Sequence, residues 1–351
     1  MEASKGQILG IGALGLASLA AGAALGVFAE RAVVGAAFRH DPDRDEPFGQ
    51  LRGPSSWVET DDGVRLYVEV EEPNDFRASD PTIVFVHGFS LNHNAWHYQR
   101  RDLAGMGRMV FYDQRSHGRS DRAPDGTHTI DQLGHDLAAV IAATAPEGPL
   151  ILVGHSMGGM TVMSLIAHYP DLIEERVHGS ALIATSPGEL NTVTLGLPKP
   201  AATLMHRYAD AAAGIMGGGQ PIIDPVRSRA NDFTYLMTKI YSFGGWSSQS
   251  MTKFVNDMIS ATPVDVVADY LPALLRHDKV SYLERLDGTP TLVLVGDHDL
   301  LTPVQHSEVI LRQVPAAEFV VLPSSGHMVI LERHADVNMR LRQLAERSMA
   351  R

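Results

Sequence analysis

The stretch that most restricts what this chain can become is Leu150-Ile151-Leu152-Val153-Gly154-His155-Ser156-Met157-Gly158-Gly159. A short continuous apolar run of this kind fits a strand covered on both faces. From Met157 onward Met160, Val162, Met163, Leu165 and Ile166 recur at helical spacing until Tyr169-Pro170 stops the pattern. The expected order is strand, one sharp turn, helix. Gly154-x-Ser156-x-Gly158 then matches a nucleophile elbow, a strained turn that lifts a serine oxygen above a sheet. Glycine neighbours let strand and helix approach closely enough for it. The pentapeptide alone also fits an ordinary strand-helix connection, so the rest of the chain decides.

A chain of 351 residues accommodates one large α/β domain with an insertion, or two ordinary domains. Its net charge of -12 and the lack of any Lys/Arg cluster argue against a nucleic-acid partner. The absence of Cys removes disulfides, thiolate nucleophiles and Cys-based zinc sites, without reporting the compartment. No His/Asp/Glu set has metal-ligand spacing and H-E-x-x-H is absent, so neither a metal nor a cofactor is expected.

Residues 7–29 carry no charged side chain and are mostly Gly, Ala, Leu, Ile and Val. As a helix they could cross a hydrocarbon core of about 30 Å. The segment 1–39 is read as a hydrophobic membrane anchor; a cleaved signal peptide, leaving a secreted protein, and a buried helix are the competing readings. Residues 40–54, with Asp41-Pro42-Asp43-Arg44-Asp45-Glu46-Pro47, read as a polar linker.

From Ser55 onward strand and helix patterns alternate. A hairpin is expected at 57–70 around Asp61-Asp62-Gly63, with strands at 82–86, 108–112, 181–184, 291–295 and 318–322 besides the one before the elbow. Helices are expected at 95–103, 130–143, 304–313 and 328–348, with His93 and His97 on or near a surface helix. Residues 187–277 lack strand patterns and hold Met205, Tyr208, Met216, Phe233, Met237, Phe243, Met251, Phe254 and Met258. They read as a helical insertion that splits the alternation into 55–186 and 278–351. Such alternation implies a mostly parallel sheet with right-handed crossovers.

Ligands of open α/β sheets sit beyond the carboxyl ends of the strands. Those ends carry His87-Gly88-Phe89, Ser156, Gly296-Asp297-His298-Asp299 and Ser324-Ser325-Gly326-His327. A serine hydroxyl is a weak nucleophile until an imidazole takes its proton, and the imidazole works best when a carboxylate fixes its tautomer. Ser156, His327 and Asp299 supply these three groups, with Asp297 and Glu189 as the other acids in range. Their order along the chain is nucleophile, acid, histidine.

Taken together, His87-Gly88-Phe89, Asp113-x-Arg115-x-x-Gly118-x-Ser120, Gly154-His155-Ser156-Met157-Gly158-Gly159, Gly296-x-x-Asp299-x-x-x-Pro303 and Gly326-His327 make the chain resemble the α/β-hydrolase superfamily, in its capped esterase/lipase-like branch. The resemblance implies a mostly parallel central sheet flanked by helices, with 187–277 as a helical cap inserted after the sixth strand. It implies an oxyanion hole formed by the backbone N–H groups of Phe89 and Met157, with His87, Gly88, Gly154, His155 and Gly158 supporting the site. It also implies a cofactor-independent serine hydrolase that cleaves carboxylic esters through an acyl-enzyme on Ser156. Carbon-carbon bond hydrolysis, perhydrolysis and a non-turnover binding module stay open as alternatives. Serine rather than aspartate at the elbow disfavours epoxide hydrolase and haloalkane dehalogenase chemistry. The Met and aromatic residues of the insertion fit either an apolar substrate pocket or the insertion's own packing. The expected partner is a small ester or lipid-like molecule, met at a membrane through the N-terminal helix.

Overall fold

A computed structural model describes residues 41–193 and 234–350. By contacts the chain forms two units, Met1–Asp45 with Ser248–Ser250, and Glu46–Ser247 with Met251–Arg351. In the first, Asp41 accepts hydrogen bonds from the N–H and the hydroxyl of Ser250. The second carries the sheet. The expected N-terminal hydrophobic helix, and Met205, Tyr208, Met216 and Phe233 of the insertion, lie outside the described residues.

Eight strands form one sheet in the order β1-β2-β4-β3-β5-β6-β7-β8. They are β1 (Ser55–Glu59), β2 (Arg65–Glu71), β3 (Thr82–Val86), β4 (Arg108–Tyr112), β5 (Leu150–His155), β6 (Val177–Ile183), β7 (Thr291–Gly296) and β8 (Glu318–Leu322). The hairpin β1–β2 and the β2–β4 pair are antiparallel; from β4 to β8 every pair is parallel. Alternate residues of the inner strands feed two apolar layers. Ile83, Phe85, Ile151 and Val153 join Trp96, Leu103, Leu341 and Leu344 on one face. Val84, Val86, Leu150 and Leu152 join Leu137, Val140, Val162 and Leu165 on the other. Each such side chain contributes about 1.5–3 kcal/mol on full burial, which is why these strands are apolar without alternation.

Helices fill both faces, with several departures from the periodicity. Asn92 accepts the N–H of Asn94 and starts a 3-10 turn, His93–Trp96, which runs into the helix His97–Asp102. His93 and His97 were expected near the surface, but both are buried, each 2% exposed. Their partners are remote in sequence, where periodicity has no view. His93 Nδ1–H donates to Asp113 at 2.8 Å with Glu69 3.5 Å from Nε2, and His97 bonds to Glu46 at 2.7 Å. Burial disfavours a charged His93, yet Asp113 and Glu69 outweigh it and raise its pKa. Pro170 ends the elbow helix Met157–His168 and opens an unforeseen one, Pro170–Arg176, from its first turn. The final helix breaks at Arg333 into Val329–Glu332 and His334–Met349.

Residues 46–54, inside the stretch read as a linker, lie on the core. Phe48 stacks on Phe254 at 4.8 Å, Leu51 accepts from Arg100, and the Gly53 N–H donates to Glu69. Between β6 and β7 the described residues are helical at 234–242, Gln249–Ala261 and Val264–Arg276. Among the described residues no single helix is long and apolar enough to cross a membrane; only the last two, bent by 91°, pass such a test as a pair. Their apolar residues point inward. Met251, Phe254, Val255 and Met258 join the first layer, and Val266 and Tyr270 pack beside the elbow.

Candidate active site

After β3 the chain crosses to β4 on one side and later to β5 on the other, so the connections diverge and leave a crevice at the carboxyl ends. Ser156 stands there. Its φ of 54° and ψ of -123° are strained for a residue with a Cβ, a conformation that costs on the order of 1–3 kcal/mol. Two hydrogen bonds hold it: the Ser156 N–H to Ile183 O at 3.0 Å and the Thr185 hydroxyl to Ser156 O at 2.7 Å. A Cβ on Gly158 would run into the Val86 carbonyl, and one on Gly154 would lie 2.6 Å from Gly159 Cα. The glycines are therefore required by close approach, as the spacing suggested. Met157 opens the helix, so its N–H has no partner within it and sits at the positive end of the dipole. The loop bearing Phe89 passes alongside, because a Cβ on Gly88 would be 3.0 Å from Ser156 Cβ.

Three strand-end loops bring Ser156, His327 and Asp299 into line. The Ser156 hydroxyl lies 2.9 Å from His327 Nε2, and His327 Nδ1 lies 2.9 Å from Asp299 Oδ2. A carboxylate facing Nδ1 fixes the proton there and leaves the Nε2 lone pair toward the serine. Asp299 is buried and fully engaged: Oδ1 accepts the N–H groups of Leu301 and Thr302, and Oδ2 accepts the Thr302 hydroxyl, each at 2.9 Å. The two rival acids stand elsewhere. Asp297 is exposed and accepts the Ser325 N–H, while exposed Glu189 begins a 3-10 turn at φ 60°. The Asp299 side chain forms an Asx-turn with the Leu301 N–H two residues on, and Thr302, which sequence reasoning did not single out, adds its hydroxyl.

The supporting histidines are neutral. His155 Nε2–H donates to the His327 carbonyl at 2.9 Å; burial, then the neighbouring His327, push its pKa down to about 3. His87 Nε2 accepts the Gln114 N–H, so its Nδ1–H donates to Gly88 O at 2.8 Å, and burial lowers its pKa to about 4. Gln114 is clamped in turn by Thr161. The Asp113-to-Ser120 motif is structural: Asp113 accepts the N–H groups of His93 and Arg119, and a Cβ on Gly118 would collide with its carboxylate.

Beside the elbow, Ile130, Leu133, Met157 and Met160 form an apolar cluster with Val266 and Tyr270 of the insertion, edged by Phe89, Leu190 and Leu274. The insertion's apolar residues thus divide: Phe243, Met251, Phe254 and Met258 pack the main core, and a smaller set lies at the site. Among the described residues no group of three or more His, Asp or Glu could hold a metal ion.

The sequence profile of the alpha/beta hydrolase fold matches residues 81–334. An sn-1-specific diacylglycerol lipase of Mus musculus is 27% identical over 265 residues, 75% of this chain and 80% of that protein. A bifunctional esterase/perhydrolase of Acinetobacter calcoaceticus is 36% identical over 132 residues, 37% of this chain and 45% of that protein. Among solved structures, a thermophilic esterase from Thermogutta terrifontis superposes with a TM-score of 0.64 at 24% identity, covering 85% of this chain and all of that one.

Proposed function

The chain belongs to the α/β-hydrolase family, and from that premise we propose that it is a serine hydrolase of carboxylic esters. Ser156 Oγ attacks the acyl carbon as His327 Nε2 takes its proton. The carbonyl oxygen becomes an anion and is received by the N–H groups of Met157 and Phe89. Collapse of the tetrahedral adduct breaks the ester C–O bond, and His327 returns the proton to the departing alcohol. Water, deprotonated by His327, then attacks the acyl-enzyme and releases the acid and free Ser156. Asp299 holds the Nδ1 proton throughout and stabilises the imidazolium.

The observation that carries this reading is the unbroken line from Ser156 Oγ through His327 to Asp299, 2.9 Å at each step. The apolar cluster at Phe89, Met157 and Tyr270 favours an apolar acyl or alcohol portion, hence lipid-like esters. A fluorophosphonate probe is expected to label the folded wild type and not Ser156→Ala; a folded wild type that stays unlabelled overturns the proposal. A graded series of p-nitrophenyl esters then ranks acyl lengths.

A second reading has one specific support, the esterase/perhydrolase similarity. Hydrogen peroxide would intercept the same acyl-enzyme in place of water and release a peracid, which a peracid assay with acetate ester and peroxide detects. We further propose that residues 7–29 anchor the chain in a membrane. The full chain is then expected in the membrane fraction, and a shortened chain beginning at Asp41 in the soluble one. If both are soluble without N-terminal cleavage, the anchor is wrong.

A further inference from the structure

We infer that Glu332 is a positioning residue that ties the inserted segment to the loop carrying His327, so that docking of the segment and alignment of the histidine are one event. The inference rests on the hydrolase reading above for its kinetic consequence, but its structural basis is independent of it.

Glu332 ends the short helix that follows His327, and its carboxylate is shared between two different parts of the chain. Oε2 accepts the N–H of Gly326, the residue immediately before His327, at 2.7 Å. Oε1 accepts the N–H groups of Gly244 and Gly245, in the insertion, at 3.1 Å each, and the Gly244 N–H also reaches Oε2 at 3.4 Å. The same short piece of the insertion is gripped from both neighbouring loops. The Met328 N–H donates to Ser242 O at 2.7 Å, and His298, on the acid loop, donates to Gly244 O at 2.8 Å. Ser242 to Gly245 therefore lies against both the acid loop and the histidine loop.

The contact is backbone on backbone. A Cβ on Gly326 would strike the Gly244 nitrogen, and a Cβ on Gly244 would lie 2.5 Å from the Gly326 nitrogen. With no room for side chains between them, the N–H groups of the two segments need an acceptor at their edge. Glu332 fills that place. Burial and the charge of Asp299 both raise its pKa, while its three N–H donors favour the charged form. A side chain that only filled space would carry no such electrostatic penalty; a carboxylate is used because two oxygens can grip two segments at once.

Glu332→Gln is the discriminating variant. It keeps the shape but has one acceptor oxygen, and its amide NH₂ must face N–H donors on the other side. Two donors lie on the insertion side and one on the histidine side, so the oxygen is expected to stay with Gly244 and Gly245 and release Gly326. On p-nitrophenyl butyrate, kcat is expected to fall on the order of 10- to 100-fold, as for a misaligned catalytic group. KM should stay within about twofold, since loss confined to alignment leaves ground-state binding intact. The fluorophosphonate labelling rate should fall with kcat, and amide hydrogen exchange at Gly326 should quicken. Glu332→Asp keeps the charge on an arm too short for both segments and is expected to lose kcat as well. Unchanged exchange at Gly326 in both variants overturns the clamp. Faster exchange with unchanged kcat and labelling overturns the positioning role. A folded wild type that the probe does not label overturns the hydrolase reading instead, while the exchange measurement still reads the clamp.

Discussion

His327→Ala is expected to lower kcat on p-nitrophenyl esters by on the order of 10⁴- to 10⁶-fold while leaving the thermal transition little changed. The serine hydroxyl loses the acceptor 2.9 Å away and cannot shed its proton as it attacks. Under the proposed mechanism, the activity that remains would be that of the oxyanion donors and binding, which act without the histidine. Ser156→Ala with His327→Ala should be no slower than either alone, because the two act as a unit. Asp299→Asn is the more informative variant. The N–H groups of Leu301 and Thr302 hold the Oδ1 position as an acceptor, so the amide NH₂ must take the Oδ2 position facing His327. Nδ1 must then accept, which moves the ring proton to Nε2, toward Ser156. A loss of about 10⁴-fold follows from the wrong tautomer in a site otherwise intact. Initial rates check all of these; appreciable turnover by His327→Ala would remove that residue from the mechanism.

Lowering the pH from 7 to 5 is expected to lower the stability of the fold. Burial holds His155 and His117 at about 3 and His87 and His277 at about 4, against an unfolded value of 6.5. Between those values the unfolded chain binds more protons than the native one, so stability is full above 6.5 and falls as the pH drops toward 3 or 4. Each group removes about 1.4 kcal/mol per pH unit in that window. Because these histidines depress one another and the raised His93, Glu71, Asp136 and Glu332 act in the opposite sense, the net loss is smaller than their simple sum, on the order of a few kcal/mol against the roughly 5–15 kcal/mol that typical domains possess. His93 works the other way, since its raised pKa stabilises the protein below 6.5 and that contribution disappears as pH rises through the folded value. Asp62 and Asp131, lowered to about 2, add a further loss only as the pH falls from 3.8 toward 2. Urea midpoints at pH 7, 6 and 5 test this. Equal midpoints would mean that these histidines are not buried neutral.

The residues whose identity is dictated locally were legible. Glycine at 154 and 158 is demanded by strand-helix approach, apolar runs by burial on both faces, and the strand ends by the sheet's own topology, so Ser156, Asp299 and His327 were found together. What escaped depends on partners far along the chain. Buried His93 needs Asp113 and Glu69, and no window around His93 contains either. Thr302 is local to Asp299, but no turn rule assigns its hydroxyl to the carboxylate. Glu332 was not, because its meaning lies in Gly244 and Gly245, nearly ninety residues upstream. The insertion's Met and aromatic residues looked alike in sequence and separated only when folded, some into the core and a few to the site.

The hold on Asp41 sets the length of a tether. Under the anchor proposal, the uncharged run ends at 29, and the chain is already held at Asp41 by Ser250. Only residues 30–40 separate the two, and at about 3.4 Å each they reach at most on the order of 37 Å. If that proposal holds, a domain leashed so briefly would stay within about its own diameter of the bilayer. Esters partitioned into that bilayer would meet the serine at an effective concentration set by the leash, in the millimolar range typical of short flexible connections, rather than by their solubility in water.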